Sequence, residues 1–183
     1  MGIWSRNQLH LTPLIELIHP MPPILFLDID GVLVPFGDGV PTYPVFDTRC
    51  VENLKMLLAG VPLAKVVFSS TWRLPNYVNR LYEQWLEHGF TKAVAIDGTP
   101  DLRQDSSILR RHQRGLEIRA WLNAHPRTRH WVVVDDERFA IEEVLDSRRC
   151  VFTNPRIGLT TDDAERAIRI LRLHGGFPGD APL

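Results

Sequence analysis

Three runs of apolar residues, 24–27, 66–68 and 131–134, each stop at a polar cluster. The first gives way to Asp28-Ile29-Asp30-Gly31, the second to Ser69-Ser70-Thr71-Trp72-Arg73, and the third to Asp135-Asp136-Glu137. Short, unbroken apolar runs suit strands that are covered on both faces. Between them lie stretches with helical spacing, such as Val51, Leu54, Leu57 and Leu58, or Tyr77, Leu81 and Trp85. Strands alternating with helices specify a doubly wound, Rossmann-like α/β fold, a mainly parallel sheet with helices on both faces. In such a sheet, ligands bind outside the carboxyl ends of the strands. All three polar clusters fall in that position.

The rest of the chain fills in the pattern. Residues 31–47 are rich in glycine and proline and predict an irregular hairpin or flap. A helix is expected over 48–59, closed by Gly60, and a second from near Pro75 to Gly89. A third strand is expected at 93–96, with a turn at Asp97-Gly98-Thr99-Pro100. A helix over 115–124 turns Leu116, Ile118, Ala120, Trp121 and Leu122 inward. After the fourth strand come a helix from about 139 to 145, a short strand at 150–152, and a last helix. That helix opens at Thr160, with Asp163 completing a capping box, and ends at Gly175-Gly176. Residues 1–23 read as an extension whose Pro20, Pro22 and Pro23 block any helix. Residues 24–183 form one domain.

Bulk properties exclude several classes. Hydrophobic content of 44%, charged content of 23% and a net charge of −1 are ordinary for a globular chain. Nothing global demands a polyanionic partner. Lys55, Lys65 and Lys92 are the only lysines among 21 basic residues; genome composition explains this arginine preference more simply than phosphate recognition does. Cys50 and Cys150 form no C-x-x-C and read as buried or incidental thiols in a reducing compartment. The histidines show no zinc-ligand spacing. No stretch approaches the roughly 18 apolar residues of a membrane span, and the N-terminus has no signal-peptide pattern. The expected location is the cytoplasm, with no membrane partner; oligomeric state is not legible.

Asp28 and Asp30 lie two residues apart, so on an extended backbone they point the same way, with Cα atoms about 6.5 Å apart. That span suits two oxygen groups converging on one phosphoryl group and one hard cation. Bare acids at the end of a buried strand are costly unless compensated. The bland alternatives are an Asp-Gly turn at Asp30-Gly31 and a solvated acidic turn at Asp135-Asp136.

Taken together, these residues resemble the haloacid dehalogenase (HAD) superfamily of phosphotransferases. Asp28-Ile29-Asp30-Gly31-Val32-Leu33 is similar to its first motif, Ser70 to its second, with Ser69 and Thr71 as neighbouring candidates, and Asp135-Asp136 to its fourth. More narrowly, Ser69 to Arg73, Arg114 to Leu122 and Gly158-Leu159-Thr160 resemble the HAD domain of multi-enzyme RNA-repair proteins. The resemblance implies an Mg²⁺-dependent phosphatase. Asp28 is then the nucleophile that forms an aspartyl phosphate. Asp30 protonates the leaving oxygen and later activates water. Asp28, the Asp30 backbone carbonyl and Asp136 ligate the metal, with Asp135 in support. Ser70 and nearby N–H groups hold a phosphoryl oxygen.

One departure stands out. The family's third motif is a lysine ahead of the fourth strand, and no lysine fits. Arg114 is the best substitute, with Arg110 and Arg111 behind it; the alternative is a solvated residue near a helix N-terminus. Ser69, Thr71, Trp72 and Arg73 are candidate substrate contacts. Trp72 would stack on a base and Arg73 meet a phosphate, or the tryptophan packs in the core and the arginine makes a surface salt bridge. Residues 103–119 are a candidate phosphate-backbone groove or a solvated face. Neither interval where the family inserts a cap has room for one, so an open site admitting a phosphorylated nucleic-acid end is expected. The competing readings are a catalytically silent HAD scaffold and a phosphoaspartate signalling receiver. The receiver places its acidic pair on the first strand, its acceptor on the third and a lysine after the fifth; this chain has another order.

Overall fold

Five parallel strands make one sheet in the order β3-β2-β1-β4-β5. They are β1 (Ile24–Leu27), β2 (Lys65–Phe68), β3 (Ala95–Gly98), β4 (Trp131–Asp135) and β5 (Cys150–Phe152). The computed structural model describes residues 21–37 and 44–173. The helices are α1 (Thr48–Gly60), α2 (Val78–Glu87), α3 (Gln113–Ala124), α4 (Arg138–Glu142) and α5 (Thr161–Arg172). The doubly wound α/β architecture read from the sequence is the observed one.

Alternation along each strand sorts the core into two layers. Leu25, Leu27, Val66, Phe68, Val132 and Val134 pack with Leu54 and Leu57 of α1, Leu81 and Trp85 of α2, and Ala164 and Ala167 of α5. Ile24, Phe26, Val67 and Val133 pack on the opposite face with Ile118 and Trp121 of α3 and Ala140 and Ile141 of α4. Each central strand is therefore buried on both faces, which is why its sequence shows no polar alternation. Cys50 and Cys150 are buried free thiols. Among the described residues no helix is long and apolar enough to cross a membrane.

Several boundaries differ from the sequence reading, each for a local reason. Ser70 caps a 3₁₀ turn at Thr71–Arg73, and Leu74 is extended ahead of Pro75, so α2 begins only at Val78. β3 sits two residues later than expected, and Asp97 and Gly98 are strand rather than turn. Asp97 is tolerated on this edge strand because its carboxylate accepts hydrogen bonds from Trp121 Nε1 (2.6 Å) and Gly98 N (2.8 Å). The inward face of α3 is Gly115, Glu117, Ile118 and Trp121; Leu116, Ala120 and Leu122 are only half-buried. β4 continues into Asp135. α4 is the short piece Arg138–Glu142. The capping box of α5 is present as expected, Thr160 and Asp163 exchanging bonds. Residues 1–20 of the expected extension, 38–43 of the flap and the Gly175-Gly176 stop lie outside the described residues.

Candidate active site

The sheet register assembles the site. Leu27 pairs with Phe68 on one side and Val134 on the other. The next residues, Asp28, Ser69 and Asp135, therefore stand abreast at the carboxyl end of the three central strands. Backbone bonds from Ser69 N to Leu27 O and from Asp28 N to Val134 O, both 3.0 Å, hold the row. Two residues before each of them come Val67, Phe26 and Val133, which face α3 and α4. By the same alternation the row turns toward α3, the helix that carries Arg114.

The loop after β1 is tightly folded. Leu33 N and Val34 N both bond Ile29 O, at 2.8 and 2.9 Å. Thr153, just past β5, donates its hydroxyl to Gly31 O (2.8 Å), and Leu159 N bonds Val32 O (2.8 Å). Gly31 has φ +69°, a conformation that costs other residues.

Asp28, Asp135 and Asp136 bring one carboxylate oxygen each to within 4.8 Å of one another. Asp28 and Asp135 are buried and Asp136 is half-buried. Arg114 reaches into this cluster, Nη2 lying 3.4 Å from Asp28 and Nε 3.7 Å from Asp135. The arginine is thus no solvated residue: its side chain is 11% exposed and it faces the acids. Arg110 and Arg111, by contrast, are exposed in the 3₁₀ turn ahead of α3.

The electrostatics follow from burial and like charge. Burial, then Asp28, pushes the Asp135 carboxyl well above the carboxylate range, with Arg114 opposing. The Asp136 carboxyl is pushed up to about 6 by burial, Asp28 and Glu137. Burial works against the charge on Arg114, but Asp28 and Asp135 outweigh it and hold the guanidinium charged. Three buried polar atoms here have no hydrogen-bond partner: Asp135 Oδ2, Arg114 Nη1 and Ser69 Oγ. Buried groups are nearly always satisfied, and these three belong to the row at the strand ends and to the arginine that faces it.

Asp30 stands apart from the other acids. Its two oxygens each accept from Trp72 Nε1 at 3.1 Å, and its carboxylate is not in the close cluster. Burial and then Asp28 raise its pKa, while Trp72 and Arg114 pull the other way.

The serine cluster divides its labour differently from the sequence reading. Ser70 Oγ is occupied in capping the 3₁₀ turn, accepting from Trp72 N at 3.3 Å. Ser69 Oγ has no hydrogen-bond partner, and Ser69 is the residue beside Asp28. Thr71 is exposed. Trp72 is no stacking platform: it is buried, tilted against Phe46, with the Arg80 guanidinium over its ring. Arg73 is no surface phosphate contact either, since it is paired with buried Glu117 at 2.8 Å. Within the supposed groove, Arg103 pairs with Asp101 and Arg119 donates to Val144 O. The sequence reading missed Glu117 and Thr153; a lone acid between Leu116 and Ile118 was the signal for the first.

A family model described as the HAD domain in Swiss Army Knife RNA repair proteins matches residues 24–164. The chain belongs to that family. The match starts at β1 and runs into α5, so the HAD domain covers the whole sheet and every site residue described above. No protein of curated function matches the chain. The HAD fold and its acidic cluster mark a hydrolase domain of the phosphatase type.

Proposed function

We propose that this HAD domain is an Mg²⁺-dependent phosphatase acting on phosphate monoesters through an aspartyl phosphate, with a phosphorylated nucleic-acid end as substrate. The carrying observation is the cluster of Asp28, Asp135 and Asp136 within 4.8 Å, faced by Arg114. Three carboxylates so close repel one another, and one guanidinium does not balance them. A hard divalent cation with oxygen ligands fits this donor set, and Asp135 Oδ2, which has no hydrogen bond, is one of its oxygens. Asp28 and Asp136 would hold the ion together with the Asp30 backbone carbonyl, and Asp135 would support them. Bound there, Mg²⁺ neutralises charge between carboxylates and phosphoryl oxygens.

The chain's own groups supply the rest. A carboxylate oxygen of Asp28 attacks phosphorus as the bond to the ester oxygen breaks. Asp30, its pKa raised by burial, gives its proton to the departing oxygen. Asp30 then takes a proton from water as the water oxygen attacks phosphorus, which frees inorganic phosphate and restores Asp28. Ser69 Oγ and Arg114 Nη1, both without partners, hold the phosphoryl oxygens. Arg114 stands in for the family's lysine, and its contact with Asp28 favours an active enzyme over a silent scaffold.

The substrate class rests on two supports. The family's description names RNA repair proteins. The described part of the β1–β2 connection holds only α1, and the β2–β3 connection only a 3₁₀ turn and α2. An uncapped site admits a polymer end.

The test is phosphate release from a generic aryl phosphate with and without Mg²⁺, abolished in Asp28→Asn. Oligonucleotides with 3′- or 5′-phosphates should outpace sugar phosphates. Faster turnover of the sugar phosphates rejects the nucleic-acid end. A folded protein that hydrolyses none of them is a scaffold.

A further inference from the structure

Glu117 is an acid inside the protein, 2% exposed, on the α3 face that packs toward the sheet. Its Oε2 accepts from Arg73 Nη2 (2.8 Å), and its Oε1 from Leu102 N (3.2 Å) and Gln113 Nε2 (3.0 Å). Arg73 is fully engaged in turn: Nε bonds Thr99 O (2.6 Å), Nη1 bonds Ser70 O (2.6 Å) and Nη2 also bonds Pro100 O (3.0 Å). This one guanidinium therefore fastens three segments: the turn after β2, the exit of β3 and helix α3.

Those segments carry the groups that face the acids. The turn follows directly on Ser69, and α3 holds Arg114 one helical turn before Glu117. A buried ion pair is a poor device for stability alone, because apolar side chains of similar volume often serve as well. Its planar fork is a good device for fixing distance and angle between elements. We propose that Arg73 and Glu117 are positioning residues that set the spacing between the Ser69 hydroxyl and the Arg114 guanidinium around the phosphoryl group. The inference rests on the phosphatase reading, and adds two residues that touch neither substrate nor metal.

The experiment measures turnover of an aryl phosphate with Mg²⁺ per folded molecule, alongside thermal unfolding, in a double-mutant cycle. Glu117→Gln keeps the shape and removes the charge; a displaced Arg114 should lower kcat by up to about 10²-fold. In an Arg114→Ala background the same change should lower kcat no further, because the group it acts through is gone. A merely structural role shifts unfolding equally in both backgrounds and multiplies the kcat effects. Should Glu117→Gln not fold, Arg73→Lys runs the same cycle, keeping a charge while losing the fork. Wild-type kcat in either folded variant, or multiplying effects, overturns the inference alone. A wild-type protein that turns over no phosphate ester overturns the phosphatase reading and this inference with it.

Discussion

Gly31 lies directly against Asp136: a Cβ built on the glycine would stand 2.5 Å from Asp136 Cγ and 2.6 Å from its Oδ2. The glycine after the D-x-D pair thus answers two demands at once. The turn needs its positive φ, and the acid arriving from β4 needs the space where a side chain would be. One residue links the end of β1 to the end of β4.

Gly31→Ala is therefore expected to act on both demands. The backbone term should destabilise the fold by about 1–2 kcal/mol. The displaced Asp136 carboxylate should also weaken Mg²⁺ binding. Thermal melts with and without MgCl₂ check this: the variant should melt lower and gain less from the metal. An unchanged Mg²⁺ increment would mean Asp136 is not a ligand.

On the proposed function, proton and metal would compete for the same carboxylates, which gives a pH dependence of definite sign. The Asp136 pKa is raised from 3.8 to about 6 in the fold. A raised carboxylate favours the folded state below its unfolded pKa, and that contribution disappears as pH climbs through the folded value. The metal-free protein should thus lose this contribution between about pH 4 and pH 6. Mg²⁺, which needs the ionised acid, should stabilise more strongly as pH rises across the same window. Calorimetric melts on wild type and Asp136→Asn test it; the asparagine variant should show a flatter Mg²⁺ increment against pH.

Much of this was legible in the sequence because the central strands are covered on both faces and end abruptly. Runs such as Ile24–Leu27, short and bounded by turn signals, suit buried strands, and in a parallel sheet their polar successors fall on one edge. What was illegible depends on contacts across the fold. Nothing local says that Asp97 will find Trp121, so the sequence places β3 two residues before its position in the sheet. Nothing local distinguishes Ser69 from Ser70; register puts the first beside Asp28, while the second caps a turn. Trp72 and Arg73 look like nucleic-acid contacts until Asp30 and Glu117 appear opposite them. Polar side chains near a site read as ligand-binding when their protein partners lie far off in sequence.

The Trp72 indole is expected to tune Asp30. Its N–H bonds both carboxylate oxygens and pulls the pKa down against burial and Asp28. Trp72→Phe keeps the packing against Phe46 and removes the donor. The Asp30 pKa should then climb further. In the proposed mechanism the first step needs Asp30 protonated, so the basic limb of the kcat profile should move to higher pH. Turnover of an aryl phosphate between pH 5 and pH 9 measures it, and an unmoved limb would show that Asp30 is not the group titrating.

Two adjacent serines provide the last test, because the same substitution should do different things to each. Ser69 Oγ is buried without a partner in the row beside Asp28, so Ser69→Ala should spare the fold. It removes a donor to the developing charge, and kcat should drop by about 10²–10³-fold, as for other oxyanion donors. Ser70 Oγ accepts from Trp72 N at the start of the 3₁₀ turn. Ser70→Ala should cost about 1 kcal/mol of stability, as lost caps do, and move kcat much less. Kinetics and urea unfolding on both variants separate the roles. If Ser70→Ala proves the more damaging to turnover, the phosphoryl group is gripped from the turn, and the alignment of Ser69 with Asp28 carries no chemistry.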